Sequence, residues 1–422
     1  MGPERAVTVV SVTPLPLGRD SRTLKQAMTL ARLGYRSVAV ADRRRWDLDP
    51  AKPPEFPPAQ SDAKADATPL RRHLLPGIRF DELPAILQAP VFLYWLLRFF
   101  RRYVWQVAVQ LPRASLYCLH EFSSFPAVWV AARMAGAPII YDAHDFYSQM
   151  VEDSERTRFE RRFIAPFQRW LERVCIGQAA AVLTVSDGVG ELMRRRFGVE
   201  PVVVRNCHDA RLDRPVRSGL RNRLGLQARD FLLVAIGNSK KGYAADVAIE
   251  AVRRLPGHVH LALVGDGYHG YADRLQAEGI ASRVHLVGFL PPTEVVPTVR
   301  DADAAVILYY AHSADHRVAL PNKLFQSIAA ELPILYPDLP QIAAVMRAAE
   351  AGLSIDTQDP SSIVRAVERL LKDRNAVGTA SVRRQLSIQL AWEAEETLFT
   401  EQVRRCLHEI VPDLHAAHER AG

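Results

Sequence analysis

Short apolar, β-branched runs alternate with helical-period stretches in two successive series along this chain, and that alternation confines it to α/β architecture with parallel sheets. The first series opens with Val7-Thr8-Val9-Val10-Ser11-Val12, breaks at residues 14–18, and continues as a helical pattern through Leu24, Met28, Leu30 and Leu33 to Gly34. Residues 36–40 then complete a βαβ unit, and residues 115–119, 138–141 and 180–185 read as further strands. The second series is expected to begin near Val202, with strands at residues 202–204, 231–236, 260–264, 284–287 and 304–309. Two doubly wound Rossmann-like domains facing a common cleft are predicted, with ligands at the carboxyl ends of the strands. The expected divisions are 1–204, 205–386 and a helical segment, 387–422, that folds back across both domains.

Residues 47–70 carry six prolines among Ala, Asp and Lys and read as a surface excursion rather than a boundary. Across its 422 residues the chain is 48% hydrophobic and 24% charged, a balance suited to packed domains rather than disorder. Cys118, Cys175, Cys207 and Cys406 fall in no metal-ligand spacing, so reduced thiols in a reducing compartment are expected. The first apolar run is too short for a signal peptide, and residues 89–97 stop at Arg98, short of the roughly 18–20 residues that span a bilayer. A cytoplasmic protein is therefore expected. Lys and Arg outnumber Asp and Glu by 54 to 47, which favours anionic partners. The basic residues are too dispersed for nucleic acid. Residues 89–111 form an aromatic-rich helix with Arg98, Arg101 and Arg102 grouped on one face. It suits peripheral attachment to an anionic membrane surface at its inner face, but a core helix with a basic exposed side is the favoured reading, because the apolar face suits burial as well.

Three segments carry candidate chemistry. In Leu320-Pro321-Asn322-Lys323-Leu324-Phe325-Gln326 a proline opens a helix whose N-terminus, reinforced by Lys323, makes an anion site, with Gln326 one turn on for sugar hydroxyls. Gly237-Asn238-Ser239-Lys240-Lys241-Gly242 follows a strand with a flexible basic turn placed for a diphosphate, and Gly265-Asp266-Gly267 is a second turn that allows close backbone approach. Taken singly, a solvated lysine explains the first as well, and a solvated loop and a plain tight turn explain the other two better. In the first half, His144 sits between Asp142 and Asp145, where its tautomer could be held, and His120 ends another expected strand. Zinc at His144 is the weaker alternative, and no metal is expected.

Taken together these segments resemble the GT-B glycosyltransferases, and within them the retaining enzymes of glycosyltransferase family four, the glycosyl transferases of group 1. The likeness rests on residues 320–325 with Ala329-Ala330-Glu331-Leu332-Pro333, and on residues 141–145, 183–186, 205–206, 264–267 and 392–393, in the expected order. It implies a nucleotide-sugar donor, UDP- or GDP-linked, in the C-terminal domain and no other cofactor. Lys241 and Lys323 match phosphate contacts, Gln326 a ribose-binding glutamate, and His144 a donor-sugar contact. Phe289 and Leu290 would lie near the base, and the loop containing Gly18 near the transferred sugar. Asn238, Lys240, Gly265, Asp266, Gly267, Leu320, Pro321 and Asn322 complete the implied donor site. The family's pair of glutamates with seven residues between them reads Val318 and Gln326 here, Asn238 stands for an arginine, and Glu331 stands for a glycine at a helix end. The implied reaction is retaining, metal-independent transfer to a glycan, lipid-linked or small-molecule hydroxyl acceptor. A sugar-nucleotide epimerase and a non-catalytic partner subunit are the alternatives.

Overall fold

The computed structural model describes residues 7–52, 54–56, 84–144, 158–239, 243–310, 317–373 and 376–408. By their contacts the described residues form two units: residues up to 56, 84–204 and from 396 onward belong to the first, and 205–395 to the second.

Among the described residues unit 1 holds seven strands: β1 (Thr8–Thr13), β2 (Arg36–Ala41), β3 (Arg44–Asp47), β4 (Leu116–Leu119), β5 (Ile139–Ala143), β6 (Ala181–Thr184) and β7 (Val202–Val203). Their spatial order is β3-β2-β1-β4-β5-β6-β7, and every pairing is parallel except that of β3 with β2. Helices α1 (Ser21–Arg32), α2 (Ala85–Phe99), α3 (Phe125–Ala135), α4 (Ala165–Gln178) and α5 (Asp187–Phe197) lie between strands. Local signals set their ends. The Asp20 carboxylate caps α1 by accepting from Thr23 N, and Ser186 Oγ caps α5 by accepting from Val189 N. At the other end of α5, Gly198 turns the chain out with φ of 69°.

Two expectations are corrected here. Val202 and Val203 pair with Leu183 and Thr184, so they close the first sheet instead of opening the second. The antiparallel β3 was not expected; its largely exposed residues show no apolar alternation, and only the turn through Asp42 and Arg43, both at positive φ, brings it back onto β2. Residues 57–70 of the proline-rich excursion lie outside the described residues.

Among the described residues unit 2 holds six strands: β8 (Phe231–Ile236), β9 (Val259–Val264), β10 (Val284–Gly288), β11 (Ala304–Val306), β12 (Ile334–Pro337) and β13 (Gly352–Ile355). They are ordered β10-β9-β8-β11-β12-β13 and all parallel, the doubly wound order with its switch point between β8 and β11. Along β8, Phe231, Leu233 and Ala235 enter one core while Leu232, Val234 and Ile236 enter the other. That is a strand buried on both faces, each large side chain contributing about 1.5–3 kcal/mol by leaving water. Helices α6 (Ala245–Arg254) and α7 (Pro360–Lys372) cover the first core, α8 (Asn322–Ala329) and α9 (Pro340–Ala349) the second. Glu331, beyond α8, does occupy the left-handed region, with φ of 58°. The C-terminal helical segment is two helices, Ala380–Gln389 and Trp392–His408, and the unit assignment changes within the latter, between Glu395 and Glu396.

Candidate active site

In unit 2 the loops leaving β8 and β9 are locked edge to edge. Gly237 N donates to Val264 O at 2.8 Å, Ser239 N to Asp266 O at 2.8 Å, and Gly265 N to Gly288 O at 2.8 Å. Asn238 Oδ1 accepts from Asp266 N at 2.9 Å, so its carbonyl end ties the two turns together. A Cβ on Gly265, whose φ is 147°, would lie 2.6 Å from both C and O of Gly237, so the approach admits glycine alone. Gly267 is similarly close to Ser239 O, at 3.0 Å. Phe289 and Leu290 follow directly on Gly288 and are half-buried at the same edge of the sheet.

Lys323 stands in the first turn of α8 and is 5% exposed. Its Nζ lies 3.3 Å from the ring centroid of Tyr243 and 5.4 Å from that of Tyr309. The two rings meet edge to face at 6.2 Å. A Cβ on Gly237 would sit 3.2 Å from Nζ, which places the ammonium beside the β8 loop. A cation at a helix N-terminus opposes the dipole, and the Tyr243 and Tyr309 faces offset that by cation–π attraction. No side chain caps α8, and Pro321 sets its extended entry. Helix dipole, ammonium and glycine turns together give a concentration of positive potential at the switch point, suited to a phosphate.

The other expected residues fall around this point in different ways. Leu320 is buried in the core. Asn322 is exposed and its Oδ1 accepts from Asn206 Nδ2, and Gln326 is half-buried one turn along. Lys240 and Lys241 lie outside the described residues. Sequence reasoning missed Tyr243 and Tyr309. Neither carries a pattern signal, and the antiparallel bridge that pairs them spans 66 residues of chain.

Unit 1 places Gly18 in a short 3₁₀ turn after β1, where a Cβ would meet the Phe56 ring at 2.7 Å. His144 follows β5 and His120 follows β4, and their ring centroids are 6.5 Å apart. Between them Asp142 is fully buried. Arg22 grips it with Nε to Oδ2 and Nη2 to Oδ1, both at 2.7 Å, Gln26 Nε2 donates to Oδ2 at 2.7 Å, and Arg22 Nη1 reaches Val204 O at 2.8 Å. Burial alone would raise the Asp142 carboxyl, but the Arg22 guanidinium with its hydrogen bonds and the adjacent His120 imidazole hold it well below the usual carboxylate range. Asp20 is likewise buried yet lowered, by the imidazoles of His144 and His120 and by bonds from Thr23. His120 Nδ1 lies 3.2 Å from Asp142 Oδ2 without hydrogen-bond alignment, and among the described residues His120 Nε2 and His144 Nδ1 have no hydrogen-bond partner. Ligating atoms of His120, Asp142 and His144 lie within 4.8 Å of one another. Both Asp142 oxygens, however, already accept from a guanidinium, which opposes a cation there.

Comparison with known proteins adds the following. The model of the glycosyl transferases group 1 matches residues 230–373, and that of the glycosyl transferase 4-like domain matches residues 18–208. The chain is 24% identical over 294 residues to alpha-D-kanosaminyltransferase of Streptomyces kanamyceticus, covering 67% of this chain and 72% of that one. It is 23% identical over 320 residues to D-inositol 3-phosphate glycosyltransferase of Thermobifida fusca, covering 69% of each. Among solved structures, sucrose-phosphate synthase from Thermosynechococcus elongatus superimposes with a TM-score of 0.63 at 14% identity, over 94% of this chain and 98% of that one. Anabaena HepE in complex with UDP-glucose gives 0.60 at 15%, over 94% and 99%. These structures share the GT-B fold of two Rossmann-like domains.

Proposed function

The chain belongs to the group 1 glycosyl transferases and is a glycosyltransferase using a nucleotide sugar, and from that premise we propose that it is a retaining, metal-independent enzyme with its donor held in the 205–386 domain. The observation that carries this is the buried Lys323 at the start of α8, clamped by Tyr243 and Tyr309 beside the glycine turns. There a nucleoside diphosphate, with UDP or GDP the proposed carrier, would meet the ammonium, the helix N-terminus and backbone N–H groups at once.

In the proposed reaction the bond between the sugar's anomeric carbon and the diphosphate oxygen breaks, and the acceptor oxygen bonds to that carbon from the same face. The acceptor's proton passes to the departing phosphate oxygen. Lys323, with Lys241 as a second cation, stabilises the charge that develops on the diphosphate, the work a metal ion would otherwise do. Gln326 binds the ribose as a neutral amide. In the 1–204 domain, His144 contacts the transferred sugar. The Arg22 grip on Asp142 supports the metal-free reading, because it removes the carboxylate a divalent ion would need. The acceptor is proposed to be a hydroxyl of an envelope glycan, a lipid-linked glycan or a natural product, transfer taking place in the cytoplasm.

Calorimetric titration of metal-free protein with UDP, GDP and ADP tests the donor site, and NMR of the product anomer tests retention. Binding of one nucleotide that disappears in Lys323→Ala is expected. If none binds, the donor site is refuted and Val318 and Gln326, standing where the family has glutamates, point to a partner subunit.

A further inference from the structure

Residues 84–109 face two environments. On one side Trp95, Phe99 and Tyr103 are buried, and the rings of Trp95 and Phe99 pack on Phe167 of α4 at 5.6 and 5.5 Å. On the other, Ile86, Leu93, Leu97 and Phe100 are 82, 58, 63 and 57% exposed. Spacings of seven, four and three residues align these four into one stripe along the helix. The sequence pattern left open whether this helix exposes a basic side or lies on a membrane. What the structure exposes is the apolar side with Arg98 and Arg101 beside it. Arg98 Nη1 donates to Tyr94 Oη at 3.0 Å, which orients its guanidinium. Between residues 83 and 120 there is no Asp or Glu.

A large apolar stripe edged by cations, on a stretch of chain without acids, fits the boundary between anionic headgroups and acyl chains. Self-association through the stripe would bring the arginines of two copies together, so a second copy is the poorer occupant. No described helix is long and apolar enough to cross a bilayer, which leaves attachment in the plane of the surface. We propose that this face docks on an anionic lipid membrane and that the acceptor is one presented there. The acceptor clause rests on the transferase reading; the docking itself does not.

The test is sedimentation of the full chain with phosphatidylglycerol or phosphatidylcholine vesicles, alongside size-exclusion chromatography and nucleotide titration. Wild type is expected to bind phosphatidylglycerol vesicles, and phosphatidylcholine far less. Arg98→Gln with Arg101→Gln should weaken binding about 25-fold, from roughly fivefold per arginine at an anionic surface. Leu93→Ser, Leu97→Ser and Phe100→Ser together should abolish it while leaving nucleotide binding and thermal unfolding as in wild type. The proposal is overturned if wild type ignores phosphatidylglycerol, if the triple serine variant binds as wild type does, or if wild type is a dimer that this variant dissolves. Failure of nucleotide binding with vesicle binding intact would refute the donor site alone.

Discussion

The two units use the carboxyl ends of their parallel strands in opposite ways. In unit 1, β4 and β5 lead to His120, Asp142 and His144, and the one fully buried carboxylate among them is answered from α1 by Arg22 and Gln26. In unit 2, β8 and β9 lead to glycine turns, and the nearby charge is a lysine laid over two tyrosine faces at the positive end of a helix. The first arrangement is electrically closed and holds its own loops in place. The second gathers a lysine, a helix N-terminus and glycine turns, an arrangement suited to an anion. One architecture thus answers a buried charge with a counter-charge in one half and with aromatic ring faces in the other.

The sharpest way to break this comparison is Arg22→Met, which leaves Asp142 buried without its cation. Unit 1 should lose about 3–5 kcal/mol in urea unfolding, with nucleotide binding by the folded protein unchanged. Wild-type stability from this pair should also depend on acid. Asp142 titrates below its unfolded value of about 3.9, so its contribution is complete above that pH and declines as pH falls toward the native value. A flat stability profile between about pH 5 and pH 2 would contradict the closed-network reading. In unit 2, Lys323→Ala should lower turnover ten- to a hundredfold, about 1.5–3 kcal/mol, at unchanged thermal stability. Tyr243→Leu should cost less, about 0.5–2 kcal/mol in turnover, and Tyr243→Phe should restore it, because the ring face and not the hydroxyl holds the ammonium. The smallest effect is expected from Glu331→Gly, which relieves a left-handed side-chain position and should stabilise unit 2 by about 1 kcal/mol.

Much of the fold was legible because its signals are local. The alternation along 231–236, the proline before α8 and the glycines after β8 and β9 all act within a few residues. Glu331 was legible too, as a residue standing where a left-handed turn was expected. The partnerships were not. Arg22 and Asp142 are 120 positions apart, and nothing around either names the other. Tyr243 and Tyr309 look like ordinary aromatics until β8 and β11 lie side by side. The helix at 85–99 has apolar residues on both flanks, so its period could not say which side the protein covers; packing on Phe167 decides it. Val202 and Val203 were misjudged because a two-residue strand has no period with which to declare its sheet.

The helix Trp392–His408 changes allegiance partway along, and this bears on how the chain comes to be assembled during synthesis. Thr29 donates to Glu396 at 2.7 Å, and Phe399, Val403 and Cys406 are buried, so unit 1 enlists residues made almost four hundred positions after its first strand. Unit 2 draws its described residues from one continuous stretch that emerges earlier than those last side chains. The half whose strands are made first is therefore the half finished last, and until then it leaves the ribosome with part of its core uncovered.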